Sequence, residues 1–191
     1  MGSLPAYLNF MSQKFQVGFL FLLLTALLGG GCLRDQCPKT RVQEVNDLII
    51  AKKYPEAQKC IAGLKESHPE CPDVFYLEGL TLELTDAFSE AEKAYTEALR
   101  LESDSCPGMT DALTGRAWAR IRNGNYAEAE VDFRTAIAIG TCNRSREPKA
   151  WLQISLANCL FELNRLSDSE EELNKILSSD AQDMYPQAYY Q

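Results

Sequence analysis

Several kinds of residue are scarce in this chain, and each scarcity removes a class of activity. There is one histidine, His68, in a Ser67-His68-Pro69 stretch, so no Ser-His-Asp or Cys-His arrangement has a base. No Cys-x-x-Cys pair occurs, which excludes the usual redox motif and the usual zinc knuckle. No glycine-rich loop precedes a Lys-Ser or Lys-Thr pair, so a phosphate cradle is absent. Basic residues are outnumbered: the net charge is −8. Lys14 is the one charged residue in 1–31, and the remainder holds 18 basic against 27 acidic residues. An acidic body of this kind does not neutralise phosphates, so nucleic acid is excluded as a partner, as is electrostatic adhesion to anionic lipid. These absences leave no catalytic residue, metal, cofactor or small-molecule substrate to expect. Glu170-Glu171-Glu172 reads as a solvated helix face.

What is present begins with an export signal. Met11-Ser12-Gln13-Lys14 is a short, weakly basic start, and Val17–Leu28 is apolar except for Gly18 and Thr25. Gly29-Gly30-Gly31 follows, and this order is that of a secretory signal. This twelve-residue core is shorter than the roughly 20 residues a spanning helix needs. An uncleaved anchor extending from Phe15 through the glycines stays open, as does the choice of Met1 or Met11 as the start. Leu27-Leu28-Gly29-Gly30-Gly31-Cys32 resembles a bacterial lipobox, with one departure: Gly29 stands where that family prefers leucine. The resemblance implies cleavage after residue 31, lipidation of Cys32 and a membrane anchor of more than one acyl chain. It also implies a place on the periplasmic face of the cell envelope. Leu33, in place of the aspartate that retains such proteins at the inner membrane, points to the outer one. Residues 32–37 are then the lipidated cysteine and a short linker.

The rest of the chain repeats itself. Tyr54-Pro55-Glu56-Ala57, Phe88-Ser89-Glu90-Ala91, Tyr126-Ala127-Glu128-Ala129 and Leu166-Ser167-Asp168-Ser169 share one order: large apolar, small or polar, acid, small. Around the second, Gly79, Leu82, Phe88, Ala91, Tyr95, Ala98 and Leu101 fall at helical spacings, with a turn near Thr85-Asp86. Small Gly79 and Ala91 let two helices approach, and Leu82, Phe88 and Tyr95 fill the seam. Repeats start near residues 38, 72, 110 and 150, and the extra residues of the later ones fall near 105–108 and 142–148. The 34-residue unit 72–105, and the other three units aligned on it, resemble a tetratricopeptide repeat. The resemblance covers 38–183 and implies an all-α, right-handed superhelical solenoid of about four helix hairpins. Arg120 departs from it, standing where the family has a large apolar residue, which weakens that helix's register. The competing reading is an irregular helical bundle. Residues 184–191 form a short aromatic tail, free to cap the last helix or to enter a partner's groove.

Six cysteines remain beside Cys32. Cys37 and Cys71 are equidistant from the first hairpin turn, and Cys106 and Cys142 from the third. Equidistant residues of an antiparallel hairpin face one another, so disulfides Cys37–Cys71 and Cys106–Cys142 are expected. Cys60 and Cys159 are expected as small apolar residues inside helices.

The resemblance also implies a function. In the family, the first helix of each unit lines a concave groove. The inward positions here are Lys39, Val42, Asn46 and Ile49; Asp73, Tyr76, Leu80 and Glu83; Asp111, Thr114, Trp118 and Ile121; and Trp151, Ile154, Asn158 and Phe161. Lys39 and two asparagines do not make the basic clamp some members use for a peptide carboxylate. Val42, Ile49, Tyr76, Leu80, Trp118, Ile121, Trp151, Ile154 and Phe161 are the candidate contacts, for an apolar or amphipathic protein segment. The alternative for each is core packing between neighbouring units. The leading expectation is a membrane-anchored protein-protein interaction adaptor or assembly factor of the envelope. The alternative is a structural envelope protein that self-associates through the solenoid.

Overall fold

The computed structural model describes residues 37–102, 108–140 and 149–178. The signal segment 1–31, Cys32, Cys106, Cys142 and the tail 184–191 lie outside them. Eight helices and no strand occur among the described residues: α1 (Lys39–Ile50), α2 (Tyr54–Ser67), α3 (Pro72–Glu83), α4 (Phe88–Leu101), α5 (Gly108–Arg122), α6 (Tyr126–Ile139), α7 (Lys149–Glu162) and α8 (Leu166–Ser178). Each packs on the next in chain order, and the extensive contacts among these helices lie within a hairpin or between neighbouring hairpins. This is an all-α solenoid of helix hairpins.

One local device recurs in every hairpin. Lys52, Asp86, Gly124 and Asn164 all have positive φ, between 58° and 80°. Each sits just past the end of a first helix. The following amide donates back into that helix: Lys53 to the Leu48 carbonyl, Ala87 to Leu82, Asn125 to Arg120 and Arg165 to Leu160. The positive-φ residue's own amide reaches the carbonyl of Ile49, Glu83, Ile121 or Phe161. These paired bonds form a Schellman motif, which satisfies the orphan carbonyls of the first helix and turns the chain. The second helix then starts at the repeated large-x-acid-small motif. Glu56, Glu90, Glu128 and Asp168 lie in its first turn, where the helix dipole favours an acid. Ala57, Ala91 and Ala129 are fully buried against the first helix. Ser169 takes that place in the fourth hairpin and donates its hydroxyl to the Ala157 carbonyl at 2.8 Å.

Between hairpins, size is matched to space. Tyr95 of α4 is 1% exposed and lies between two glycines. A Cβ on Gly79 of α3 would fall 2.7 Å from its ring, and one on Gly115 of α5 2.4 Å. Its hydroxyl donates to Glu83 at 2.8 Å. The ring thus stitches two hairpins, and glycine is what admits it.

Arg120 does not weaken its helix; here the expectation fails. Its guanidinium reaches Glu92 of α4 and Asp132 of α6, both at 2.8 Å. Asp132, 2% exposed, also receives a two-pronged grip from Arg116, at 2.7 and 2.9 Å. The apolar position became cationic because two neighbouring helices supply the carboxylates. No buried side-chain nitrogen or oxygen among the described residues lacks a partner.

Candidate partner-binding surface

The first helices form the inner side of the array. Helix α1 packs on α3 and α3 on α5, whereas no two second helices pack comparably. Closer approach on one side curves the stack toward that side. Over α1, α3 and α5 this side carries the positions that the repeat pattern assigns to a groove, while α5 and α7 make no comparable contact.

Those positions divide in three. Ile49 and Leu80 are buried in the core that joins the first two hairpins. They offer no surface, which corrects their assignment as contacts: position twelve of the first unit and nine of the second point between helices. Val42, Tyr76, Trp118 and Ile121 are half-buried. The Trp118 ring meets Phe133 edge-on at 5.9 Å, so one side of it belongs to the core. Tyr76 lies 5.9 Å from Tyr95. Trp151, Ile154 and Phe161 on α7 are exposed by 55%, 37% and 61%. Spaced three and seven residues apart, they form one stripe on α7, opposite the buried Leu152, Leu156 and Leu160.

The groove is not apolar along its whole length. Between α1, α3 and α5 a cleft of about 210 Å³ opens, lined among others by Val42, Asn46, Asp73, Tyr76, Glu102 and Asp111. Its charged lining among the described residues is wholly acidic. Asp73 and Asp111 are themselves inward positions of the repeat pattern, beside the apolar Val42 and Tyr76.

The cysteines complete the picture. Cys37 and Cys71 are joined by a disulfide, tying the chain two residues before α1 to the residue before α3. Asp73 lies near this pair, but two bonded sulfurs have no thiolate to offer a metal. Cys159 is buried in α7, and burial, followed by Glu130 and Glu162, pushes its thiol up to about 11. It stays protonated at neutral pH and is inert. Cys60 is a half-buried free thiol on α2. His68 Nδ1 lies 2.9 Å from the Ser67 hydroxyl, but that hydroxyl donates to the Gly63 carbonyl. The serine proton is spent on the backbone, so the pair is not an activated nucleophile.

Three stretches of the chain match family models described as tetratricopeptide repeat: residues 43–105, 85–141 and 121–189. No curated protein matches the chain.

Proposed function

Because the chain belongs to the tetratricopeptide repeat family and so carries a protein-protein interaction scaffold, we propose that it is a membrane-anchored adaptor of the bacterial cell envelope. It holds an apolar or amphipathic segment of a partner protein on the inner face of its first helices. One observation supports this reading: the Trp151, Ile154 and Phe161 stripe is exposed, whereas the other apolar inward positions are buried (Ile49, Leu80) or half-buried (Val42, Tyr76, Trp118, Ile121). Large apolar side chains gathered on one face mark an interaction site, and aromatic anchors supply most of the affinity at such sites. The anchor is the lipid on Cys32, the thiol that follows the signal segment, and Leu33 directs the protein to the outer membrane.

Affinity capture of the lipidated protein, with Trp151→Ala and Phe161→Ala beside it, tests the reading. A discrete partner retained by the native chain and lost from both variants supports it; a partner retained by both variants contradicts it.

A second reading, self-association through the solenoid, rests on α8. Leu173 holds the repeat position that Ile61, Tyr95 and Phe133 fill with buried side chains, yet it is 43% exposed. Leu166 and Leu177 beside it are 55% and 79% exposed. In the earlier hairpins the next first helix covers this face. Sedimentation velocity on Leu173→Ser/Leu177→Ser distinguishes the readings: self-association requires the native chain to sediment as an oligomer and the variant as a monomer.

A further inference from the structure

One face of α8 is uncovered where its three counterparts are packed. Ile61 on α2, Tyr95 on α4 and Phe133 on α6 are buried, but Leu173 at the same repeat position is 43% exposed. Leu99 on α4 and Ile137 on α6 pack against a buried cluster, while Leu177 in that place is 79% exposed. The cover on the earlier helices comes from the third residue of the next first helix. Val74 shares a buried cluster with Ile61 and Leu64, Ala112 with Ala98 and Leu101, and Leu152 with Phe133 and Ala136.

The chain beyond α8 carries the start of another first helix. Pro186-Gln187-Ala188-Tyr189-Tyr190-Gln191 repeats Pro148-Lys149-Ala150-Trp151-Leu152-Gln153. Proline, alanine and glutamine are identical, an aromatic stands on an aromatic, and Tyr190 stands on Leu152. The two segments are 38 residues apart, within the range that separates the earlier unit starts. Earlier connections from a second helix to the next first helix run from Ser67 to Pro72, Leu101 to Gly108 and Ile139 to Lys149. A helix opening at Gln187 follows Ser178 by a comparable length. The family match over 121–189 also runs through α6, α7 and α8 and on past Ser178.

We propose that residues 186–191 open a fifth unit that docks on α8, with Tyr190 seated over Leu173 and Leu177 as Leu152 is seated against α6. Burial of the tyrosine ring and two leucines drives the contact, and the repeat fixes its register. Tyr189 then holds position two, which is half-buried or exposed in all four earlier units. There it continues the inner face beyond Trp151. A tethered segment this close acts at an effective concentration on the order of millimolar, which a second copy at micromolar concentration does not match. The inference stands apart from the groove reading, and it takes from the self-association reading the face on which that rests.

The test is amide hydrogen exchange over residues 170–178 of the full-length protein in a nonionic detergent, at two protein concentrations. Tyr190→Ala should speed exchange there by at least about fivefold, since a helix end opens more readily once its apolar cover is gone. Tyr189→Ala should leave it unchanged. Leu177→Ala favours the helix if the position faces solvent, so faster exchange in that variant reads the loss of a covering contact. Combined with Tyr190→Ala it should add little, because the two residues share one contact. Exchange indifferent to Tyr190→Ala overturns the proposal. Equal acceleration by Tyr189→Ala and Tyr190→Ala overturns the register that places a fifth unit. Protection of α8 that rises with protein concentration and ignores Tyr190→Ala gives the face to a second copy, and overturns the proposal in favour of self-association.

Discussion

At the scale of single residues, Tyr95 and Asp132 hold packed helices together by opposite means, Tyr95 between neighbouring hairpins and Asp132 within the third. Tyr95 does so by shape. A methyl group on Gly115 would meet its ring at 2.4 Å, and the ring has helices on both sides. Gly115→Ala is therefore expected to destabilise by about 1–3 kcal/mol despite the better helix propensity of alanine, read as a lowered denaturation midpoint. Asp132 does so by charge. Removing its carboxylate leaves Arg116 and Arg120, each with a side chain 17% exposed, without their shared partner. Breaking a buried pair from one side costs about 3–5 kcal/mol. Asp132→Ala should show a loss of that size in chemical denaturation, and Asp132→Asn a smaller one. Gly124 isolates a third effect. Nothing lies within 4 Å of a Cβ placed there, while its φ is 80°. Gly124→Ala should thus cost about 1 kcal/mol from backbone strain alone, and Lys52→Gly in the first hairpin should move stability the other way.

At the scale of elements, the hairpin was legible in the sequence because its rules are local. An acid in the first turn, an alanine on the buried side and a large residue at the start are all set within one turn of helix. Their recurrence located α2, α4, α6 and α8. The turns before them were harder to read: three of the four positive-φ residues are Lys52, Asp86 and Asn164 rather than glycine. Arg120 was misread because its partners, Glu92 and Asp132, lie 28 and 12 residues away on two other helices. The inner face was half legible. Spacing found the α7 stripe, but spacing does not say which side chains a neighbouring hairpin will cover, so Ile49 and Leu80 were assigned to a surface they do not reach. The Cys37–Cys71 bond acts at this scale too. It joins residues 34 apart and closes the first hairpin onto the second, which chain entropy values at about 3–4 kcal/mol. Cys37→Ser/Cys71→Ser should lower the thermal midpoint, and the loss should be concentrated in α1 and α2 when followed by amide hydrogen exchange, since the bond fastens the first hairpin to the second.

At the scale of the whole molecule, the chain is a scaffold with one inner face and no catalytic constellation among its described residues. The described hairpins pack chiefly on their neighbours, so stability is distributed along the array. That division of labour lets the face vary its chemistry from one end to the other, acidic at α3 and α5 and apolar at α7, without disturbing the packing behind it. The most direct test of the account is site-specific photocrosslinking in cells that make the protein. A photoreactive phenylalanine analogue at position 161 should yield one discrete adduct with a partner protein. The same analogue at Val131, which is equally exposed at 61% on the second helix α6, should yield none. Adducts from position 131 with none from 161, or adducts at 161 made only of two copies of this chain, would contradict it.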